Sequence, residues 1–384
     1  MDTSDYVYLD YAASAPIRKS CLEAQAAFRK LDCSVANPNS LHSLGRECAN
    51  VINGARRDFV RLVGSRFIPQ EVLFTSGGTE SNNLAIFGIA QGVRNKDRSR
   101  TKVLISAIEH DSIIDCIGPL RGMGFEVELL HPNSQGVIEP EELKDHLDDK
   151  VGLVSVMYAN NETGVIQPVD QLAKLTHEYG GYFHTDAVQA FGHIPIDCTS
   201  CDAVSFAAHK IGGPVGVGAL CVRRKCPIRP ISFGGGQEMG LRPGTQDTAG
   251  IIGFIAAAKE VVSILDKTRP EVEKRANMVY SRLCAPGTHM VPTTTPTATG
   301  KLPGLVSVMV KKLDAQTVLL RLDDAGFGIS SGSACASASL DPSHVLSAMG
   351  IDSSLAFGAL RISFDERVTW EQLEAMCDTL ITIT

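Results

Sequence analysis

No stretch of this 384-residue sequence approaches the run of about 18 consecutive apolar residues that a membrane-spanning helix needs. Its amino terminus, Met1-Asp2-Thr3-Ser4-Asp5, is acidic and lacks the positive and apolar regions of a secretory signal. Basic charge is not in excess either: 36 Lys and Arg stand against 43 Asp and Glu, a net charge of −7. A broad nucleic-acid-binding surface is therefore not expected, and neither is a membrane partner. The eleven cysteines are scattered from Cys21 to Cys377, without the dense, regular spacing of a secreted disulfide scaffold. Cys198 and Cys201 form one C-x-x-C, but no second pair stands at zinc-ribbon spacing and no thioredoxin-like pattern surrounds it. No metal is expected, and these two read as packed or incidental thiols. Internal repeats, heptads and long charge runs are missing too. The absences together point to a soluble cytoplasmic protein that acts on small metabolites or meets protein partners.

The chain is long enough for one large α/β domain with a smaller companion, and 44% of it is hydrophobic. Short apolar runs alternate with helix-like segments through the first two thirds, the pattern of a mostly parallel sheet with helices on its faces. The spacing predicts seven strands: Val72 to Thr75, Lys102 to Ser106, Glu126 to Leu130, Val151 to Tyr158, Tyr182 to Thr185, Ala203 to Ala207 and Val217 to Val222. Polar residues follow several of them at once, namely Thr79, Glu109 and His110, Asn160 and Asn161, Asp186 and Gln189, and His209 and Lys210. Ligands of open α/β sheets sit at the carboxyl ends of strands, so this recurrence predicts one shared crevice. Further on, a helix is expected from Ala249 to about Leu265, with Pro270 breaking it from a second that ends near Leu283. Thr293 to Gly304 reads as a surface connection. Beyond it come a strand at Leu305 to Val310, a helix from about Ala315 to Ala325, a strand near Leu360 to Phe364, and a last helix that opens on the capping box Thr369-Trp370-Glu371-Gln372.

Two segments carry the chemistry. His184-Thr185-Asp186-Ala187-Val188-Gln189 places a carboxylate at a strand end, where it can stay ionised against a protonated pyridine nitrogen. Ser205-Phe206-Ala207-Ala208-His209-Lys210 brings an amine to the end of the next strand, before Gly212-Gly213-Pro214, where it can form a Schiff base with a cofactor aldehyde. The ordered pair suggests a pyridoxal phosphate site. Ser76-Gly77-Gly78-Thr79-Glu80-Ser81-Asn82-Asn83 joins a strand to a helix. It is either an ordinary Gly-rich turn with a capped helix or a cradle in which backbone N–H groups around Gly78 and the Thr79 hydroxyl approach a phosphate. His110 is either a satisfied polar residue at a strand end or a ring that stacks on the cofactor and moves protons to or from a substrate thiol. Asn161 and Gln189 are neutral hydrogen-bonding groups suited to a substrate carboxylate and a phenolic oxygen. Cys335 stands in a run of small residues, Gly328 to Ser339, which suits an exposed nucleophile better than a packed thiol. Arg361 interrupts an apolar strand with a positive fork, for a surface salt bridge or for a substrate carboxylate.

With these residues in place, the chain resembles the cysteine desulfurases among the fold-type I pyridoxal phosphate enzymes, similar to NifS and IscS. The likeness runs nearly end to end. It includes Leu9-Asp10-Tyr11-Ala12-Ala13, Asn37-Pro38-Asn39-Ser40-Leu41-His42, Ser76 to Ser81, Glu109-His110, Asn160-Asn161-Glu162-Thr163-Gly164, His184 to Gln189, His209-Lys210, Gly234-Gly235-Gly236-Gln237-Glu238, Arg242-Pro243-Gly244-Thr245 and the Cys335 segment. The continuation through Leu340-Asp341-Pro342-Ser343 looks like the longer-loop NifS and IscS branch. The resemblance implies a large cofactor domain over residues 16–262, with a mostly parallel seven-stranded sheet, and a smaller α+β domain from residues 1–15 and 263–384 that carries the cysteine. It implies a Schiff base on Lys210, an ion pair from Asp186 to the pyridine nitrogen, stacking by His110, Gln189 on the phenolic oxygen, and Thr79 and His209 on the phosphate. Thr245 would reach the phosphate of the neighbouring subunit's cofactor, which makes a homodimer the expected unit. Asn161 and Arg361 would clamp the carboxylate of L-cysteine. Cys335 would accept its sulfur and pass it to an acceptor protein such as an iron–sulfur scaffold or a tRNA-thiolation protein.

The sequence departs from the family pattern at Ala207, where a serine usually adds a phosphate bond, at Met239, where an arginine is common, and at Ala13-Ser14-Ala15-Pro16 in place of Ala-Thr-Thr-Pro. Two other kinds of protein stay open. One is a related enzyme on the same fold, such as a selenocysteine lyase or an aminotransferase. The other is a sulfur-relay scaffold without catalysis of its own.

Overall fold

A computed structural model describes residues 6–295, 300–332 and 342–384. After β1 (Val7–Tyr8), helices α1 (Lys19–Phe28) and α2 (Ser43–Val63) lead to β2 (Val72–Thr75), α3 (Gly78–Lys96) and β3 (Lys102–Ser106). Next come α4 (Asp111–Ile114), α5 (Ile117–Gly122), β4 (Glu126–Leu130), α6 (Pro140–His146), β5 (Val151–Ser155), α7 (Val169–Glu178), β6 (Tyr182–Asp186), β7 (Ala203–Ala207) and β8 (Gly218–Val222). The chain ends with α8 (Thr248–Leu283), β9 (Met290–Pro292), β10 (Leu305–Val310), α9 (Ala315–Asp324), β11 (Phe327–Gly328), β12 (Ser330–Ser331), α10 (His344–Ala348), α11 (Ser353–Ala356), β13 (Ala359–Ser363) and α12 (Trp370–Ile383).

The predicted seven-stranded sheet is present, in the order β2-β8-β7-β6-β5-β3-β4. It is parallel except for β8, which runs antiparallel to both β2 and β7. Strands β3, β5, β7 and β8 are buried along their whole length, as parallel strands covered on both faces require. One face packs on α2, α7 and the first half of α8, where the Phe59 ring lies 5.2 Å from those of both Phe206 and Phe254. The other packs on α3 through Leu84, Ile86 and Ile89. Strand order reverses around β3, whose neighbours are β4 and β5. The crevice predicted at the carboxyl ends therefore has a topological switch point to occupy.

A second sheet, β12-β13-β10-β9, builds a separate core with the second half of α8, α9 and α12. Leu9, Tyr11 and Ala15 of the amino-terminal segment join this core. The capping box of α12 forms as read, with Thr369 Oγ1 accepting from Gln372 N and the Gln372 side chain accepting from Thr369 N.

Three local expectations are corrected. Pro270 does not break a helix: α8 runs unbroken through it for 36 residues. The proline removes one N–H, whose intrahelical acceptor would be the Asp266 carbonyl. Asp266 and Pro270 are both exposed, so water can satisfy that carbonyl. Strand β5 stops at Ser155 rather than Tyr158: Val156 N and Tyr158 N still donate to His184 and Asp186 of β6, but Met157 N–H is taken by the Glu109 carboxyl at 2.6 Å. Finally, Thr293 and Thr294 are buried rather than on the surface, the first bonded to Ser307 on β10 through both backbone (3.1 Å) and hydroxyl (2.8 Å).

Candidate active site

The sheet's carboxyl edge opens into a cavity of about 610 Å³. Gly78, Thr79, His110, Asn161, Asp186, Gln189, His209, Lys210 and Arg361 all line it. Of the residues singled out in the sequence, Cys335 lies outside the described residues, and Thr245 does not line this cavity.

Lys210 follows β7 in a single 3-10 turn, Ala208–Ile211, closed by Gly212 in the left-handed region at φ 77°. A side chain at Gly212 would collide with Arg18 Cγ at 2.7 Å, so glycine suits the turn on both counts. The Lys210 amine donates to the carbonyls of Ala12 (2.6 Å) and Ala13 (2.9 Å). Gln189 Nε2 donates to the same Ala12 carbonyl at 2.8 Å. The amino-terminal segment thus forms one wall. His209 faces Ser14 Oγ at 3.3 Å. Burial, helped by the Lys210 charge, pushes its pKa down to about 4, so the ring is neutral and can donate through one nitrogen.

Asp186 ends β6 and is 6% exposed. Its carboxylate accepts from Val188 N (2.8 Å) and from Asn82 Nδ2 (2.7 Å). Asn82 Nδ2 also donates to Ser112 Oγ at 2.9 Å, and that hydroxyl lies 2.9 Å from His110 Nδ1. A hydroxyl that accepts from Asn82 has its own hydrogen left for the imidazole. His110 Nδ1 accepts from Ser112 N as well, at 3.0 Å. This places the proton of the neutral ring on Nε2. A continuous chain of hydrogen bonds therefore joins Asp186 to His110.

Glu109 is wholly buried beside it, with Oε1 accepting from Met157 N and no partner for Oε2 among the described residues. Burial, reinforced by the Asp186 charge, holds its pKa well above the usual carboxyl range. Beneath Asp186, His184 is clasped between Ser155 Oγ (2.9 Å) and Ser205 Oγ (3.0 Å), and burial lowers its pKa to about 3.

The turn from β2 into α3 passes through Gly77 at φ 154°, a conformation open to glycine, and no side chain caps the helix. A Cβ at Gly78 would meet Val188 at 3.0 Å, and one at Gly218 would meet Gly77 Cα at 2.7 Å. Backbone N–H groups and the Thr79 hydroxyl are left to face an anion. Ala207 lines the cavity with no polar atom to add. Behind this turn, Arg242 Nε pairs with Glu80 Oε1 at 2.9 Å, so the segment that carries exposed Thr245 is tied to the start of α3. Met239, another departure, is exposed and left-handed at φ 60°.

Arg361 is 2% exposed on β13. It pairs with Asp10 Oδ1 through Nη2 (2.8 Å) and donates to the Asn161 carbonyl through Nη1 (2.9 Å). Its Nε has no partner among the described residues. The fork is held on two sides and keeps a donor in reserve. Cys198 and Cys201 are buried in the core, and their mutual contact with burial pushes the Cys201 thiol far up, which fits packed thiols.

The residues present fit a pyridoxal phosphate group: an uncapped helix start for the phosphate, an amine, a braced carboxylate and an imidazole on one cavity. Sequence reasoning assigned no part to Asn82, Ser112, Glu162 or Asp10 in this site. Asn82 had a signal, since it sits one helical turn after Gly78 and so on the same face.

The class-V aminotransferase family model matches residues 7–376. The cysteine desulfurase IscS of Dictyoglomus turgidum is 39% identical in an alignment that covers 97% of this chain and 93% of that protein. IscS of Methanosarcina thermophila is 36% identical, covering 97% and 91%. Among solved structures, a NifS-like protein superposes with a TM-score of 0.90 at 33% identity, covering 98% of this chain and 99% of that one. DndA from Streptomyces lividans does so with a TM-score of 0.78 at 34% identity, covering 94% and 99%. Matches of this length and identity, on top of a cavity built for the cofactor, settle the family: this chain belongs to the class-V aminotransferases and, among them, to the pyridoxal phosphate-dependent cysteine desulfurases of the IscS and NifS type.

Proposed function

We propose that the protein converts L-cysteine to L-alanine and moves the sulfur first onto Cys335 and then onto an acceptor protein. One observation carries this reading. Lys210, Asp186, His110 and Arg361 converge on one cavity, and that cavity is also lined by Pro342, Ser343 and His344, just past the end of the Cys335 segment. The Arg361 fork and Asn161 bind and orient the substrate carboxylate. Lys210 would hold the cofactor, and its amine is placed to take the proton from the substrate Cα. Asp186 keeps a proton on the ring nitrogen, and the bound cofactor supplies the electron sink that makes the Cα–H bond labile. His110, with its proton on Nε2, moves a proton at the substrate thiol. The Cys335 thiolate then attacks the substrate sulfur: an S–S bond forms, the C–S bond breaks, and a proton replaces sulfur on the carbon that becomes the alanine methyl. A thiol and L-cysteine thus yield a persulfide and L-alanine, with atoms and electrons in balance.

Thr79, Gly78 and neutral His209 hold the cofactor phosphate in this reading. Exposed Thr245 serves the second subunit of a homodimer in this reading. The separate core around the second sheet supports a division into residues 16–262 and residues 1–15 with 263–384. The IscS-named relatives support an acceptor in iron–sulfur cluster assembly. The test is alanine and sulfide release from L-cysteine by the cofactor-loaded protein with a thiol reductant, beside Cys335→Ala. Equal yields lost in the variant support the reading, and undiminished sulfide release by Cys335→Ala refutes it.

A further inference from the structure

We infer that Glu162 is a positioning residue for sulfur transfer, holding together the two chain segments that flank Cys335 in sequence. Its carboxylate is 4% exposed. Ser343 Oγ donates to Oε2 at 2.5 Å across a sequence separation of 181 residues. That hydroxyl is fully used, because it also accepts from Val345 N (3.1 Å) and Leu346 N (3.4 Å) at the start of α10. On the other flank, a Cβ at Gly332 would lie only 2.9 Å from the same Oε2. The same carboxylate oxygen therefore binds the chain after Cys335 and lies close beside the backbone before it, where a glycine leaves room for it.

Glu162 is itself fixed. Its N–H donates to Asn160 Oδ1 (2.9 Å), which also receives Thr163 N (2.8 Å), while Asn160 Nδ2 is bound to the Ile108 carbonyl (3.0 Å). The turn after β5 that presents Asn161 to the cavity thus presents Glu162 as well, next in sequence. His344 adds a second attachment through the Glu109 carbonyl at 2.8 Å. Burial raises the Glu162 pKa, whereas the Ser343 hydrogen bond, His344 and Arg361 pull it down and Asp111 pushes it up. A group this well held offers a fixed post, which is what a nucleophile approaching a bound substrate needs, since small misplacements are costly in rate.

This inference rests on Cys335 being the sulfur acceptor, and the test separates the two. The holoenzyme is compared as wild type, Glu162→Ala, Glu162→Gln, Ser343→Ala and Cys335→Ala. Glu162→Ala is expected to lower kcat for alanine formation about tenfold or more, with KM for L-cysteine changed about twofold at most. The cofactor absorbance should be retained. Without L-cysteine, alkylation of Cys335 by iodoacetamide, followed by peptide mass, should speed up in the same variant. Glu162→Gln keeps an oxygen that accepts from Ser343 and should restore most of both properties. Ser343→Ala should reproduce the kcat loss, and it decides the matter alone if Glu162→Ala does not fold. Unchanged kcat and alkylation in Ser343→Ala, or in folded Glu162→Ala, would overturn the inference. Full alanine and sulfide production by Cys335→Ala would instead overturn the function beneath it.

Discussion

Asn82→Ala removes the side chain that holds Asp186 and His110 in one chain of hydrogen bonds. Its Nδ2 donates to Asp186 Oδ2 at 2.7 Å, and Val188 N is the carboxylate's other donor among the described residues. A hydrogen bond to a charged group in a buried site is worth about 1.5–3 kcal/mol. Asp186 is 6% exposed, so little water can replace the lost donor. The second bond, to Ser112 Oγ at 2.9 Å, sets which way the serine hydroxyl points and so which nitrogen of His110 carries the proton. Urea unfolding of the cofactor-free variant should show a loss of about 1.5–3 kcal/mol. Single-turnover alanine formation at saturating L-cysteine should slow by about 10- to 100-fold if that energy is expressed in orienting the two groups. Ser112→Ala breaks only the half of the chain that leads to His110 and should cost less. In the double variant the two effects should not add, with a coupling of about 0.5–3 kcal/mol. Wild-type stability and rate in Asn82→Ala, or strict additivity, would refute the idea that the chain acts as a unit.

Acid should destabilise the fold partly through His184. Burial lowers its pKa from 6.5 to about 3, so the unfolded chain binds the proton more readily; the stability it contributes is complete above about pH 6.5 and drains away as pH falls towards 3. Between pH 7 and pH 5 this amounts to about 2 kcal/mol, and urea unfolding of wild type against His184→Gln at both pH values should show the wild type losing that much more; equal losses would sink it. Arg361→Lys keeps the charge but not the fork held by Asp10 and the Asn161 carbonyl, so KM for L-cysteine should rise about 10- to 100-fold with a smaller effect on kcat. An unchanged KM would remove Arg361 from substrate binding.

The strands, and which of their ends would matter, could be read from local pattern along the chain. Runs such as Lys102 to Ser106 and Ala203 to Ala207 are strands over those same residues, because a strand buried on both faces must be largely apolar and its boundaries are then local. The polar residues just beyond were legible for the same reason: a carboxylate or amine after such a run has only the sheet's edge to occupy. The single turn of helix between Gly78 and Asn82 was equally local, although its use was not read.

Tertiary structure alone decided who meets whom. The Asp10–Arg361 pair spans 351 residues and the Ser343–Glu162 bond 181, and no periodicity along a chain encodes a contact at that distance. Strand β5 ends where a carboxyl from Glu109, 48 residues away, captures a backbone donor. Pro270 fits inside α8 because Asp266, whose carbonyl loses its N–H partner, is an exposed residue there. Hydrophobic pattern says which residues leave water, a property each residue has in its own neighbourhood. Polar partners are chosen only after the layers have closed, when every buried donor and acceptor must find whichever group the fold has brought within reach.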